Sequence, residues 1–468
     1  MPFLSASHQN TPMSSSQPPS TDASMAEANG AVREHFIPYR RQDVIDMCLA
    51  DGGLPPEQHK SFRELCEILT AYLHFDFHRC GESVRENYVW FDPDSDMRLP
   101  QAPESLAGHE EQTIELLKSL ADRANYFPIS TEQIQAAFDK VTLIDLSTHV
   151  DLNDFERVLC FARGDLFKPT TVKKWFGTRD IDVDVLERVI LLLKFKDEKY
   201  FQSSRRKRQQ RQTSKFKPGA MYLYFYKDVP KYDIELLFPN VQISMTLRQM
   251  LMFAVPAVGA SIGVLFKALP QLLIVAAVLL FLLGGQQWAQ RLGVDEDKIT
   301  GFMPVLTATI ALGAALGGLA VRQWSSYRNK YIQFLKDVGE QLFFRNLATN
   351  RAVFARLIES AEEEESKEMI LVLYHLIKHS TREFTHAQLD TEIENWMQEK
   401  FGAVIDFDID GPIHYLTKLH APSSGGQQRS VLTVLESGHL QAASMEEVKR
   451  ILDYRWDNFF LYSNESMC

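Results

Sequence analysis

Glu364, Glu368, His375 and His379 recur near one helical stripe, and carboxylates and imidazoles sharing a helix face are the donor set of a divalent metal centre. Di-metal helical bundles repeat a Glu-x-x-His pair on facing helices, and no second copy occurs in this sequence. The run Glu362–Glu365 with Lys367 therefore reads as a solvated helix face. Ser261 lies in Gly259–Gly263 (GASIG), which matches the G-x-S-x-G elbow of α/β-hydrolases. That elbow needs a strand before it and a helix after it, whereas this stretch follows Pro256 inside an apolar block. A hydrolase built on Ser261 is the least favoured reading. Asp92, Asp94 and Asp96 begin like a calcium loop, but the places for its glycine and final glutamate hold Met97 and Pro103. An acidic turn is the simpler reading. The sequence has no H-E-x-x-H, no P-loop and no dinucleotide-binding glycine pattern. No catalytic residue, metal ligand or cofactor is assigned.

Two patterns point to contacts instead. Ser203–Lys217 carries seven basic residues and no acid. We assign Arg205, Arg206, Lys207, Arg208 and Arg211 to anionic lipid headgroups, which attract each such charge by about 1 kcal/mol. Nucleic acid is disfavoured as a partner, because the chain carries a formal net charge of −11. Gly313 and Gly317 spell G-x-x-x-G, a spacing that lets helices pack closely, within a hairpin or between like chains.

These residues must be held by the elements around them. Residues 250–322 form the one long apolar block. Within it, Leu269–Gly285 and Gly301–Val321 are uncharged, each close to the roughly 20 residues that cross a bilayer. Lys and Arg flank the block on both sides, while Gln286–Thr300 between the spans is net acidic. An even number of crossings satisfies that asymmetry. The expected fold is a mainly α membrane protein with a two-span transmembrane hairpin, the spans at about 266–285 and 302–322. Met250–Phe266 is a prelude to the first span. An α+β N-terminal domain (31–245, with the basic loop 203–217) would precede the block. A helical, winged-helix-like domain (323–468) would follow it. Both would share the cytoplasm-like face.

The totals fit such a chain. Its 468 residues allow two or three domains. The five cysteines are odd in number and widely spaced, which argues against a disulfide framework or a zinc site. Residues 1–30 are rich in Ser and Pro without Lys or Arg, and read as a disordered tail rather than a targeting peptide. Phe62, Leu65, Leu69 and Leu73 predict an amphipathic helix. Val185–Phe195 and Met221–Tyr226 predict strands of a small sheet. Near the C-terminus, helices followed by a Gly438 hairpin give winged-helix order. Asp406, Asp408 and Asp410 lead into the third helix, whose one basic residue is Lys418, and this favours a protein partner over DNA.

Five short motifs carry a family resemblance: Arg33–Tyr39 (REHFIPY), Phe91–Asp94 (FDPD), Lys227–Lys231 with Leu236–Pro239, Phe344–Asn346 with Ala361–Lys367, and Val404–Asp410. In that order they resemble the transmembrane-protein-143-like family, whose shared domain has no assigned function. The resemblance implies a two-span protein of a bacterial inner membrane or of a mitochondrial or plastid membrane, and supplies no catalytic residue. The functional expectation is an integral membrane, non-enzymatic scaffold or regulator whose partners are membrane lipids and proteins, like chains included. The alternative is an oligomeric pore or transport subunit.

Overall fold

A computed structural model describes residues 35–97, 105–138, 146–174, 177–213, 216–245 and 346–462 (381, 424 and 425 apart), together with some positions of a helical stretch between 311 and 345. In chain order the helices are α1 (Arg41–Ala50), α2 (His59–Tyr88), α3 (Ala107–Arg123), α4 (Thr131–Phe138), α5 (Glu198–Gln202), α6 (Arg205–Thr213), α7 (Arg351–Lys378), α8 (His386–Phe401), α9 (Asp410–Lys418) and α10 (Met445–Asp457). The strands are β1 (Phe127–Ile129), β2 (Leu146–His149), β3 (Phe155–Lys174), β4 (Gly177–Phe195), β5 (Met221–Pro230), β6 (Gln242–Met245), β7 (Asn346–Thr349), β8 (Phe384–Thr385), β9 (His420–Pro422), β10 (Gln428–Ser430), β11 (Leu432–Val434) and β12 (His439–Ala442). They belong to two compact units. The first takes in residues 1–83, 116–126 and 357–468, and the second 84–115 and 127–356.

The first unit is built on apolar stripes. Phe62, Leu65, Leu69, Leu73 and Phe77 on α2 repeat every three or four residues, and all are buried. Burying each such side chain contributes about 1.5–3 kcal/mol. On α8 the stripe is Leu389, Ile393, Trp396 and Met397, and on α10 it is Val448, Ile451 and Leu452. A reciprocal cap starts α8. Gln388 N–H donates to Thr385 Oγ1 at 3.4 Å, and Thr385 N–H donates to Gln388 Oε1 at 3.1 Å. Gly402, at φ 67°, ends it in the left-handed conformation that glycine adopts freely. Strands β11 and β12 form an antiparallel hairpin, and β8 adds to β12 as a third strand.

The second unit is a five-stranded antiparallel sheet, order β1-β3-β4-β5-β7. Its centre is the long hairpin β3–β4, in register from Phe155↔Phe195 to Lys174↔Gly177. Among the described residues, the inner half of that hairpin is the part that joins other strands, β4 meeting β5 between Val185 and Lys194. Cys160, Ala162, Val189, Leu191, Leu193 and Phe195 are buried there, with Phe201, Phe216 and Phe238 packed around them. The Phe195 and Phe216 rings stack at 3.9 Å. Strands β5 and β7 are sheet neighbours although the whole apolar block separates them in sequence.

Two expectations are corrected here. The fold is not mainly α, because strands of 20 and 19 residues dominate the second unit. The two-span hairpin is corrected as well: among the described residues, no helix is long and apolar enough to cross a membrane. The longest described helices, α2 and α7, carry acids and bases along their length, and α7 contains the Glu362–Glu365 run. Charges so placed are too costly for a helix in hydrocarbon. The same finding overturns the assignment to a bacterial, mitochondrial or plastid membrane and the shared cytoplasm-like face. The tail 1–30, the expected span 266–285, most of 302–322, Ser261 and Gly313 lie outside the described residues.

Candidate functional site

The chemistry-bearing residues of the first unit gather on α7, and they divide into two groups. The first starts in the acidic run, whose second half is buried rather than solvated, while Glu362 and Glu363 are partly exposed. Glu364, Glu365, Ser366, Lys367 and Glu368 are each at most 7% exposed. Consecutive helical residues point all round the axis, so this turn of α7 must be enclosed on every side. The segment at Ile37–Arg41, helix α2 and the end of α3 enclose it.

Each enclosing element brings polar partners. Lys367 Nζ donates to the carbonyls of Ile37 (2.7 Å) and Tyr39 (3.1 Å) and to Glu364 Oε1 (2.9 Å). Glu364 Oε2 in turn accepts from the Ile37 amide at 3.2 Å. The Lys367–Glu364 pair thus satisfies the backbone of Ile37–Tyr39 as a neighbouring strand would. Glu363 accepts from the Arg41 amide at 2.6 Å, and Glu362 from His74 at 2.9 Å. The Arg123 guanidinium donates through both Nε and Nη2 to Glu365 (3.0 Å for Nη2) and lies 4.0 Å from the Phe77 ring centroid. Asn125 Nδ2 donates to Glu368 Oε1 at 2.8 Å. Burial holds the Glu368 carboxyl well above its ordinary pKa, with Glu364, Asp408 and Glu365 adding to the rise and Asn125 opposing it. At 3% exposure that carboxyl meets no solute while α7 stays enclosed. The cluster is an architectural device, expensive to desolvate and therefore specific in its pairing.

The second group is the histidine pair. His375 sits in the last turn of α7 and His379 one turn later, with Glu392 of α8 facing them. One donor atom from each of the three lies within 4.8 Å of the others. His375 is wholly buried, and neither ring nitrogen has a hydrogen-bond partner. A buried polar group left in that state costs about 1–3 kcal/mol. His379 Nε2, 3.7 Å from Glu392 Oε1, is also without a hydrogen bond. The stripe read from sequence is therefore split. Glu364 and Glu368 belong to the ionic cluster, while His375 and His379 meet an acid from another helix.

The second unit holds the remaining sequence candidates. Residues 186–352 match the model of a family described as Protein of unknown function (DUF3754). The matched region runs from β4 through β5 and β7, three adjacent strands of the sheet, into the start of α7. No solved structure matches the chain.

Just before the matched region's last residues, Asn350 takes φ 51° and ties three segments together. Its amide donates to the Leu223 carbonyl (2.8 Å), its Oδ1 accepts from the Leu223 amide (3.1 Å), and its Nδ2 donates to Asp94 Oδ2 (2.5 Å). Asp92, Asp94 and Asp96 line a cleft of about 330 Å³ beside it, with Tyr88 and Arg351. Asp94 N–H donates to Asp92 Oδ1 at 3.0 Å, the bond of an acidic turn.

Within the matched region, the basic run folds as helix α6, and its cations differ in their surroundings. Lys207 Nζ is bound by Asp151 (2.6 Å) and by Asp154, whose side chain is 0% exposed. Arg211 pairs with Glu198 at 3.3 Å and lies over Phe216, while Arg208 donates to the Gln202 carbonyl at 3.2 Å. Arg205 is exposed. Acids distant in sequence thus neutralise part of a run that looks unopposed when read locally. Gly317 is exposed, and a Cβ built there meets nothing within 4 Å. Sequence reasoning missed Glu392, Arg123 and Asn125 as site residues. For Glu392 the available signal was its place beside the Leu389–Ile393–Trp396 stripe of the helix that follows the histidines.

Proposed function

We propose that this chain is a non-enzymatic scaffold or regulator that binds a protein partner. One observation carries the reading: an exposed aromatic patch on the first unit. Trp456, Phe460 and Leu461 are 46%, 88% and 75% exposed. Trp456 sits against Phe75 and Phe460 against Phe459, the Phe75 and Phe459 rings meet edge-to-face at 4.4 Å, and Arg79 lies 5.8 Å from the Phe459 centroid. Contiguous apolar patches of this kind mark interaction sites, and Trp, Phe and Arg are enriched where interfaces gain their energy. The pore alternative rested on the two-span hairpin and is not pursued.

Proximity labelling around the full chain, compared with a Trp456→Ser/Phe460→Ser double variant, tests the proposal. A defined set of neighbours should be lost from the variant, with affinity for a recovered partner falling by a factor on the order of thirty, or about 2 kcal/mol. An unchanged set of neighbours, or turnover of a substrate by the purified chain, would overturn it.

A further inference from the structure

We propose that His375, His379 and Glu392 form a binding site for one divalent metal ion of the zinc class, with a coordination position left over for an exchangeable ligand. The donor set is two imidazoles and one carboxylate, which suits zinc and leaves a fourth position open in tetrahedral geometry. The spacing is right for one ion. His375 and His379 are four residues apart, so one turn of helix brings both rings to the same side. Their ring centroids are 6.5 Å apart, with the planes inclined at 28°. Helix α8, which begins at His386, presents Glu392 to the pair, all three donor atoms falling within 4.8 Å.

Three further observations favour a ligand over plain packing. First, His375 is 0% exposed with both ring nitrogens unbonded, so the fold has sequestered a donor that no protein group satisfies. Second, the two oxygens of Glu392 face different partners: Oε1 lies 3.7 Å from His379 Nε2, and Oε2 lies 3.6 Å from Arg382 Nη1. The guanidinium thereby orients the carboxylate and leaves Oε1 for an ion, the usual second-shell arrangement at metal sites. Third, the neighbouring cation is already engaged, because Lys378 Nζ donates to Asp51 at 2.6 Å. The walls are aromatic. Trp396 meets the His375 ring edge-to-face at 5.2 Å, and Phe384 meets His379 at 5.7 Å. Those rings shield the buried side, while His379 and Glu392 keep 27% and 32% of their side chains exposed, on the side from which an ion and a fourth ligand arrive.

The test uses the full chain, stripped with a chelator and titrated with zinc chloride by calorimetry, with thermal unfolding followed in parallel. The wild type should bind one zinc per chain at this site and unfold at a higher temperature when loaded. Glu392→Gln and His379→Ala alter partly exposed side chains, so each should keep the fold of the stripped protein. Each should also lose at least tenfold in zinc affinity and lose the thermal shift. His375→Leu, which fits the apolar wall, should abolish binding without unfolding the chain. Zinc that does not saturate, or that binds equally to Glu392→Gln and His379→Ala, would show adventitious binding elsewhere and overturn the site.

Discussion

Arg123 and Glu365 share two hydrogen bonds while their side chains are only 9% and 10% exposed. Burial, the largest influence on the guanidinium, pulls its pKa down, and the hydrogen bonds and charge of Glu365 more than offset it. The guanidinium is therefore held charged against Glu365 inside the first unit. Arg123→Met leaves Glu365 desolvated and unpaired, and should cost about 3–5 kcal/mol. Adding Glu365→Leu should recover most of that loss. A double-mutant cycle in urea measures the coupling, and additive losses from the two changes would contradict this account.

Glu368 gives a pH dependence whose sign can be worked out. Its carboxyl is held well above the ordinary value, chiefly by burial. The folded state therefore binds the proton more tightly than the unfolded chain, where Glu titrates near about 4.3. The contribution to stability is full below that pH and is lost as pH rises through the folded value. Glu368→Gln imitates the protonated form. It should melt with the wild type at about pH 4 and above it at about pH 8. Equal melting temperatures at both pH values would refute the assignment.

Asn350 combines a positive φ with bonds to Leu223 and Asp94. Asn350→Ala strands the Leu223 amide and strains the backbone, together worth about 3 kcal/mol. Asn350→Gly removes the same side chain but tolerates the conformation, so its loss should be smaller by about 1 kcal/mol. Chemical denaturation ranks the two, and amide exchange at Leu223 should quicken in both.

The basic helix α6 predicts a contrast between near neighbours. Lys207→Ala takes the cation away from Asp154, a wholly buried carboxylate that also accepts from Asn240 (3.1 Å), and should cost about 3 kcal/mol. Arg205→Ala removes an exposed cation and should stay within about 0.5 kcal/mol. Similar losses from both would mean that Lys207 is not anchored as described.

Much of the local architecture was legible in the residues. The Phe62–Leu73 spacing gave α2, the β-branched start of Val185–Phe195 gave the inner half of β4, and Gly438 gave the β11–β12 turn. What escaped was long-range. Glu362–Glu365 looks solvated because its partners Arg41, His74 and Arg123 are distant in sequence, and no periodicity reveals that they converge. The outer half of β3, Leu166–Lys174, mixes Lys, Thr and Pro, so neither apolar alternation nor a hydrophobic run announces a strand. Strand β8 has two residues, too few for any pattern, and owes its conformation to β12. For the metal candidate, the His375/His379 spacing was visible, but the third ligand depends on how α8 packs against the end of α7.

The bond from the Ile37 amide to Glu364 joins residues 327 positions apart. On a ribosome adding roughly 5–20 residues per second, the carboxylate emerges between about a quarter of a minute and a minute after the amide it must receive. Throughout that interval Ile37–Tyr39 has neither Glu364 nor Lys367, and the apolar stripe of α2 has no α7 to bury it. The nascent chain thus reaches its last third with its first unit still open, and is exposed to holdase chaperones and to cleavage. A ribosome stalled before Glu364 should carry an N-terminal half that is cut by protease, whereas the released full chain resists.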